Sequence, residues 1–64
     1  MNRIRFFRRQ ANITQEELGK VVGVNKMRIH RYETEKTRCP YEMREKIVTI
    51  LGLPEELIFP EDTG

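Results

Sequence analysis

The chain has 64 residues, 38% hydrophobic and 34% charged, with one cysteine, one histidine and a formal net charge of +2. That length supplies one small core. A lone Cys excludes an internal disulfide, one Cys and one His leave no set of soft metal ligands, and no apolar run approaches the roughly 20 residues that span a bilayer. The charge is uneven. Residues 1–39 carry ten Lys/Arg against four Glu, and residues 40–64 carry two against six acidic side chains, as expected of a polyanion-binding face on a near-neutral body.

Met1-Asn2-Arg3 leads into charge and not into a signal-peptide hydrophobic region, so a cytoplasmic location is expected. Ile4, Phe7 and Ala11 then recur at spacings of three and four. This predicts a first helix over residues 3–11, closed by Asn12 in the left-handed conformation. A second helix, Thr14 to Val22, is announced by a capping box: Thr14 can accept from the amide of Glu17, and the Glu17 carboxylate can accept from the amide of Thr14. Ile13 and Leu18 complete a hydrophobic staple across the same start. Gly23 stands where this helix must end left-handed, and Gly19, one turn earlier, lets a following helix approach closely.

Asn25 is a strong N-cap for a third helix running to Glu33, with Val24 and Ile29 as its staple. Two helix starts eleven residues apart, joined by a glycine turn, form the layout of a helix-turn-helix. At about 100° per residue, Ile29 and Tyr32 define the buried side of helix 3. Met27 and Arg31 lie opposite, flanked by Lys26 and His30 on one side and Arg28 on the other. Arginine can grip guanine O6 and N7 with two hydrogen bonds and an apolar side chain can touch the thymine methyl, so this face has base-reading chemistry.

A polar loop, Thr34 to Cys39, separates helix 3 from Pro40, a favoured first-turn residue. Met43, Ile47, Ile50 and Leu51 follow at helical spacing until Gly52. Pro54 opens a short fifth turn or helix carrying Leu57 and Phe59, before Pro60 and the acidic tail end the packing. Cys39, next to Pro40 at a helix start, has a dipole argument for reactivity, but a small buried filler is the commoner role of such a residue. No strand signal, repeat or linker competes, and the expected fold is an all-α bundle of four or five helices.

These residues make the chain resemble the lambda-repressor-like, or Xre/Cro, helix-turn-helix proteins of bacteria and phages. The marks are Arg8, Thr-Gln-Glu-Glu-Leu at 14–18, Gly-Val at 23–24, Ile29, the Tyr32-Glu33 pair, and Leu-Gly-Leu through Phe over 51–59. The resemblance implies one DNA-binding domain over residues 1–64, with its helix-turn-helix core at 14–33. Bases would be read by Lys26, Met27 and Arg31, with His30 beside them. Phosphate would be met by Gln15 and by Thr34, Lys36 and Arg38, with Asn25 and Arg28 adjoining. It also implies a structural ion pair between Arg8 and Glu33. Two departures stand out: Gly19 replaces a usual Ala, and Glu35 replaces a usual turn glycine, so the loop after helix 3 is expected to take a different path.

The leading function is a sequence-specific, repressor-like regulator bound to double-stranded DNA. It would act as a two-fold dimer on a pseudo-palindrome through Phe6, Leu57, Ile58 and Phe59, because one recognition helix discriminates too little alone. The alternative is an antitoxin or immunity-type module using the same fold to bind protein, with Phe6 as a candidate anchor unless it packs under Leu57 and Phe59. No catalytic residues, metal or cofactor are expected: no phosphate loop and no nucleophile with a base is discernible.

Overall fold

The computed structural model describes residues 2–60 and contains five helices: α1 (Ile4–Gln10), α2 (Gln15–Val22), α3 (Lys26–Glu33), α4 (Tyr41–Leu51) and α5 (Glu55–Ile58). The acidic tail residues Glu61 and Asp62 lie outside the described residues. No strand occurs among those described.

Each helix boundary has a local cause. At the start of α2 the Glu17 amide donates to Thr14 Oγ1 (3.0 Å) and the Thr14 amide to Glu17 Oε1 (2.8 Å), so the capping box is complete. These bonds also hold the exposed Glu17 carboxyl below its ordinary pKa, the backbone bond from Thr14 contributing most. At α3 the Arg28 amide donates to Asn25 Oδ1 (2.8 Å). Gly23 ends α2 at φ 87°, and its amide and that of Val24 both donate to the Gly19 carbonyl at 2.8 Å. A Cβ on Gly19 would lie 2.5 Å from the Val24 carbonyl oxygen and 3.3 Å from the Asn25 carbonyl group. The close approach is therefore to the turn backbone and the cap of α3, more than to the side chains of that helix.

Pro40 sits one residue earlier than expected. It is the N-cap of α4, with ψ 152°, and its carbonyl accepts from the Arg44 amide (2.9 Å), so the helix proper opens at Tyr41. Asn12 takes φ 59° and closes the first turn region as predicted. Ala11 is exposed and not on the buried stripe, because α1 ends at Gln10 and Ala11 is already its cap. Glu35 adopts φ 61°, the left-handed conformation a glycine would take, so the loop follows the glycine-type turn at a strain cost instead of a different path.

The core takes Ile4 from α1, Leu18 and Val22 from α2, Ile29 and Tyr32 from α3, and Ile47 from α4, with Cys39 as a buried filler. Ile58 and Phe59 also lie inside this core, which removes both from any dimer surface. The cause is a closure between chain ends: the Arg3 amide donates to the Ile58 carbonyl (2.7 Å), folding α5 back over the core. Phe59 packs beneath the buried Arg44, whose guanidinium carbon stands 4.6 Å from the ring centroid and whose outer nitrogen bonds Glu55 (2.7 Å). Phe6 does not pack under this segment. It is 56% exposed and meets the edge of Phe7 with ring centroids 5.0 Å apart.

Candidate nucleic-acid interface

The α2–α3 unit is fixed from below by one carboxylate. Glu33, the last residue of α3, has a fully buried side chain on which three donors converge: Arg8 Nε (2.6 Å), Gln15 Nε2 (2.9 Å) and Arg5 Nε (3.1 Å). Arg8 also donates to the Ile13 carbonyl (2.7 Å). Burial pushes the Glu33 carboxyl up, but the hydrogen bonds from Arg8, Gln15 and Arg5 and the Arg8 charge outweigh it and hold the pKa below the ordinary value. One anion thus ties α1, the first residue of α2 and the end of α3 together, which sets the angle at which α3 leaves the body. Arg8 and Glu33 are the pair that the family resemblance singles out; Arg5 and Gln15 joined to it were not anticipated. No spacing rule links residues on three helices, although Arg5 and Arg8 at i, i+3 on one helix were a usable signal.

Around this hub α3 presents its outer face. Ile29, Tyr32 and Glu33 are buried, whereas Lys26, Met27, Arg28 and Arg31 are exposed, Met27 by 55%. His30 is half-buried, with Nδ1 3.4 Å from Gln15 Nε2, so it lies at the seam between α2 and α3 and not on the outer crest. The first turn of α3 is anchored by Asn25, whose side-chain oxygen is occupied by the Arg28 amide and whose amide group alone is left for a ligand.

The expected phosphate contacts are spread more unevenly. Gln15 gives one of its two side-chain N–H groups to Glu33; the second, with Nε2 3.4 Å from His30 Nδ1, and the backbone N–H at the open first turn of α2 are its donors for an anion. Thr34 caps α3: its hydroxyl donates to the His30 carbonyl (3.0 Å) and would have to leave it to bind phosphate. Lys36 and Arg38 are exposed in the following loop, where the Lys36 amide donates to the Arg31 carbonyl (3.0 Å) and so folds the loop against the end of α3. Among the dimer residues, Phe6 and Leu57 (41% exposed) remain at the surface, while Ile58 and Phe59 do not.

Two structural features near this surface escaped sequence reading. Asn2 donates to the Tyr32 carbonyl (2.8 Å) and accepts from the Ile4 amide (3.2 Å), so it both starts α1 and covers the end of α3. Arg5, Arg9 and Lys26 line a shared groove beside the α2 start, a juxtaposition of three segments that no periodicity contains. Among the described residues no three His, Cys, Asp or Glu side chains converge as a metal would require, and no helix is long and apolar enough to cross a membrane.

A search of curated proteins finds no match to the chain. A family model described as a helix-turn-helix domain matches residues 2–58. With that match over almost all the described chain, and a capped α2, a left-handed Gly23 and an outward basic α3 in place, the protein belongs to the helix-turn-helix domain family, consistent with its lambda-repressor-like marks.

Proposed function

We propose that this protein is a sequence-specific double-stranded DNA-binding transcriptional regulator of the repressor type, in which α3 enters the major groove. One observation carries the reading. α3 buries Ile29, Tyr32 and Glu33 and leaves Lys26, Met27 and Arg31 exposed on a helix whose start is pinned by the Asn25 cap. These side chains match what base edges offer: cationic donors for guanine and a flexible apolar chain for the thymine methyl. Lys26, Met27 and Arg31 read bases, with His30 at their margin; Gln15, Asn25, Arg28, Lys36 and Arg38 position the backbone, and Thr34 joins them only if its cap bond opens. Residues 1–64 act as one such domain, in the cytoplasm, and two copies occupy half-sites one helical turn apart, about 34–36 Å.

Selection of bound duplexes from a random oligonucleotide pool, followed by footprinting, tests this. An enriched motif read by α3 is expected. Absence of enrichment, with no duplex affinity at low salt, would overturn it in favour of the protein-binding alternative. That alternative has its own support: Phe6 lies exposed in an open groove of about 900 Å³ with Arg3, Arg5 and Arg9 beside it, an apolar anchor with cationic flanks. A stable complex with another protein, for which this chain is the antitoxin or immunity-type module, would be its signature.

A further inference from the structure

α1 enters the sequence reading through its core stripe, the Arg8 ion pair and Phe6 as a dimer or partner contact, with no DNA contact assigned to it, yet it borders a groove of about 550 Å³. It is lined by Arg5, Arg8 and Arg9 from α1, Gln15 and Glu16 at the start of α2, and Lys26 at the start of α3. Arg8 is spent on Glu33 and the Ile13 carbonyl. The remaining cations are not. Arg5 gives only its Nε to Glu33 and keeps 44% of its side chain exposed; Arg9 and Lys26 are exposed and make no side-chain hydrogen bond or ion pair among the described residues. Against these three stands one exposed carboxylate in the lining, Glu16, since Glu33, on which Arg5 and Arg8 converge, is buried and already satisfied.

We propose that this groove is a phosphate-binding site in which Arg5 and Arg9 hold the DNA backbone beside the base-reading Lys26, so that α1 is part of the DNA contact. The inference rests on the DNA-binding reading above and deepens it. A guanidinium presents paired N–H donors that match a phosphate, and the planar Nε bond to Glu33 orients Arg5 while leaving its outer nitrogens for a second anion. Lys26, the first residue of α3, is common to the groove and to the reading face, so a phosphate held here is in register with the bases beside it. Arg9 makes no bond that folding needs, which makes it the clean probe.

The test is binding of the full chain to a selected duplex and to a random duplex across a range of salt. Arg9→Ala is expected to weaken both by about three- to tenfold near 100 mM salt and to flatten the slope of log K against log salt by about 0.9. The ratio between the two duplexes and the melting temperature should stay unchanged. Arg9→Lys should recover part of the affinity, and Glu16→Gln, which removes the opposing carboxylate, should tighten both duplexes. Arg3→Ala removes the same charge from outside the groove and should cost less. Wild-type affinity and slope in Arg9→Ala, or a loss no larger than that of Arg3→Ala, would overturn the site while leaving the regulator reading intact. A wild-type chain without salt-dependent duplex binding would overturn both, and is recognised before any variant is made.

Discussion

Glu33 stays charged in the interior because Arg8, Gln15 and Arg5 all donate to it, and removing one donor leaves an anion that water cannot reach. Arg8→Met removes the buried cation and the shortest of these bonds but leaves Arg5 and Gln15 in place, so it is expected to cost up to about 3–5 kcal/mol of stability, whereas Arg8→Met combined with Glu33→Leu should recover much of the loss by removing the under-compensated charge with its partner. Thermal melts of the single and double variants check this; an unchanged melting temperature with lost DNA binding would make Arg8 a phosphate contact instead. At the reading face, Arg31→Ala should relax preference at one base position by about 1–3 kcal/mol, while Gln15→Ala should weaken all sequences alike. Because Gln15 also donates to Glu33, its variant should lower the melting temperature as well, which Arg31→Ala should not. Equal losses on cognate and random duplexes for Arg31→Ala would remove it from the base-reading set.

The helix-turn-helix depends on backbone clearance more than on side-chain packing at its turn. Gly19→Ala gains about 1 kcal/mol of helix propensity, but its Cβ would meet the Val24 carbonyl oxygen at 2.5 Å, and a carbonyl held in the turn cannot swing aside as a flexible side chain can. A net destabilisation of about 1–3 kcal/mol is expected, read by urea denaturation. Gly23→Ala meets nothing within 4 Å, so its cost is the left-handed conformation alone, about 1–2 kcal/mol. A Gly19→Ala variant more stable than wild type would show that the turn relaxes at low cost. α2 and α3 were legible in the sequence because their caps are local: Thr14 with Glu17 and Asn25 with Arg28 lie three residues apart, within reach of a side chain to the next turn, whereas α1 was legible only by the spacing of Ile4 and Phe7. Pro40 was placed one residue too far inside α4 because proline suits both the first turn and the position before it, and only its ψ of 152° decides.

For the whole molecule, pH and salt act on different surfaces. The Glu33 carboxyl is held below its unfolded value of about 4.3, so its stabilising contribution is complete above that pH and is lost as pH falls through the lower folded value. Urea midpoints measured downward from neutrality should drop in that acid range, and Glu33→Gln, less stable at pH 7, should show a shallower drop. A wild-type midpoint unchanged to pH 2 would contradict a charged, buried Glu33. Salt acts on the DNA-facing side: the three phosphate-positioning cations Arg28, Lys36 and Arg38 imply a slope of about −2.7, and Arg5 and Arg9 would steepen it to about −4.5.

The sequence by itself determined the helices, the caps of α2 and α3, the outward face of α3 and the helix-turn-helix layout, because each is encoded within one or two turns of chain by periodicity and side-chain reach. Only the tertiary structure decided what lies between helices. It drew Ile58 and Phe59 into the core through the Arg3–Ile58 backbone bond, left Phe6 exposed, and set Glu35 in a glycine's conformation. It also gathered Arg5 and Gln15 onto Glu33, and Arg9 and Lys26 around one groove. Those outcomes depend on how the helices pack against a shared core, and the angle between two helices is a property of all the residues that separate them.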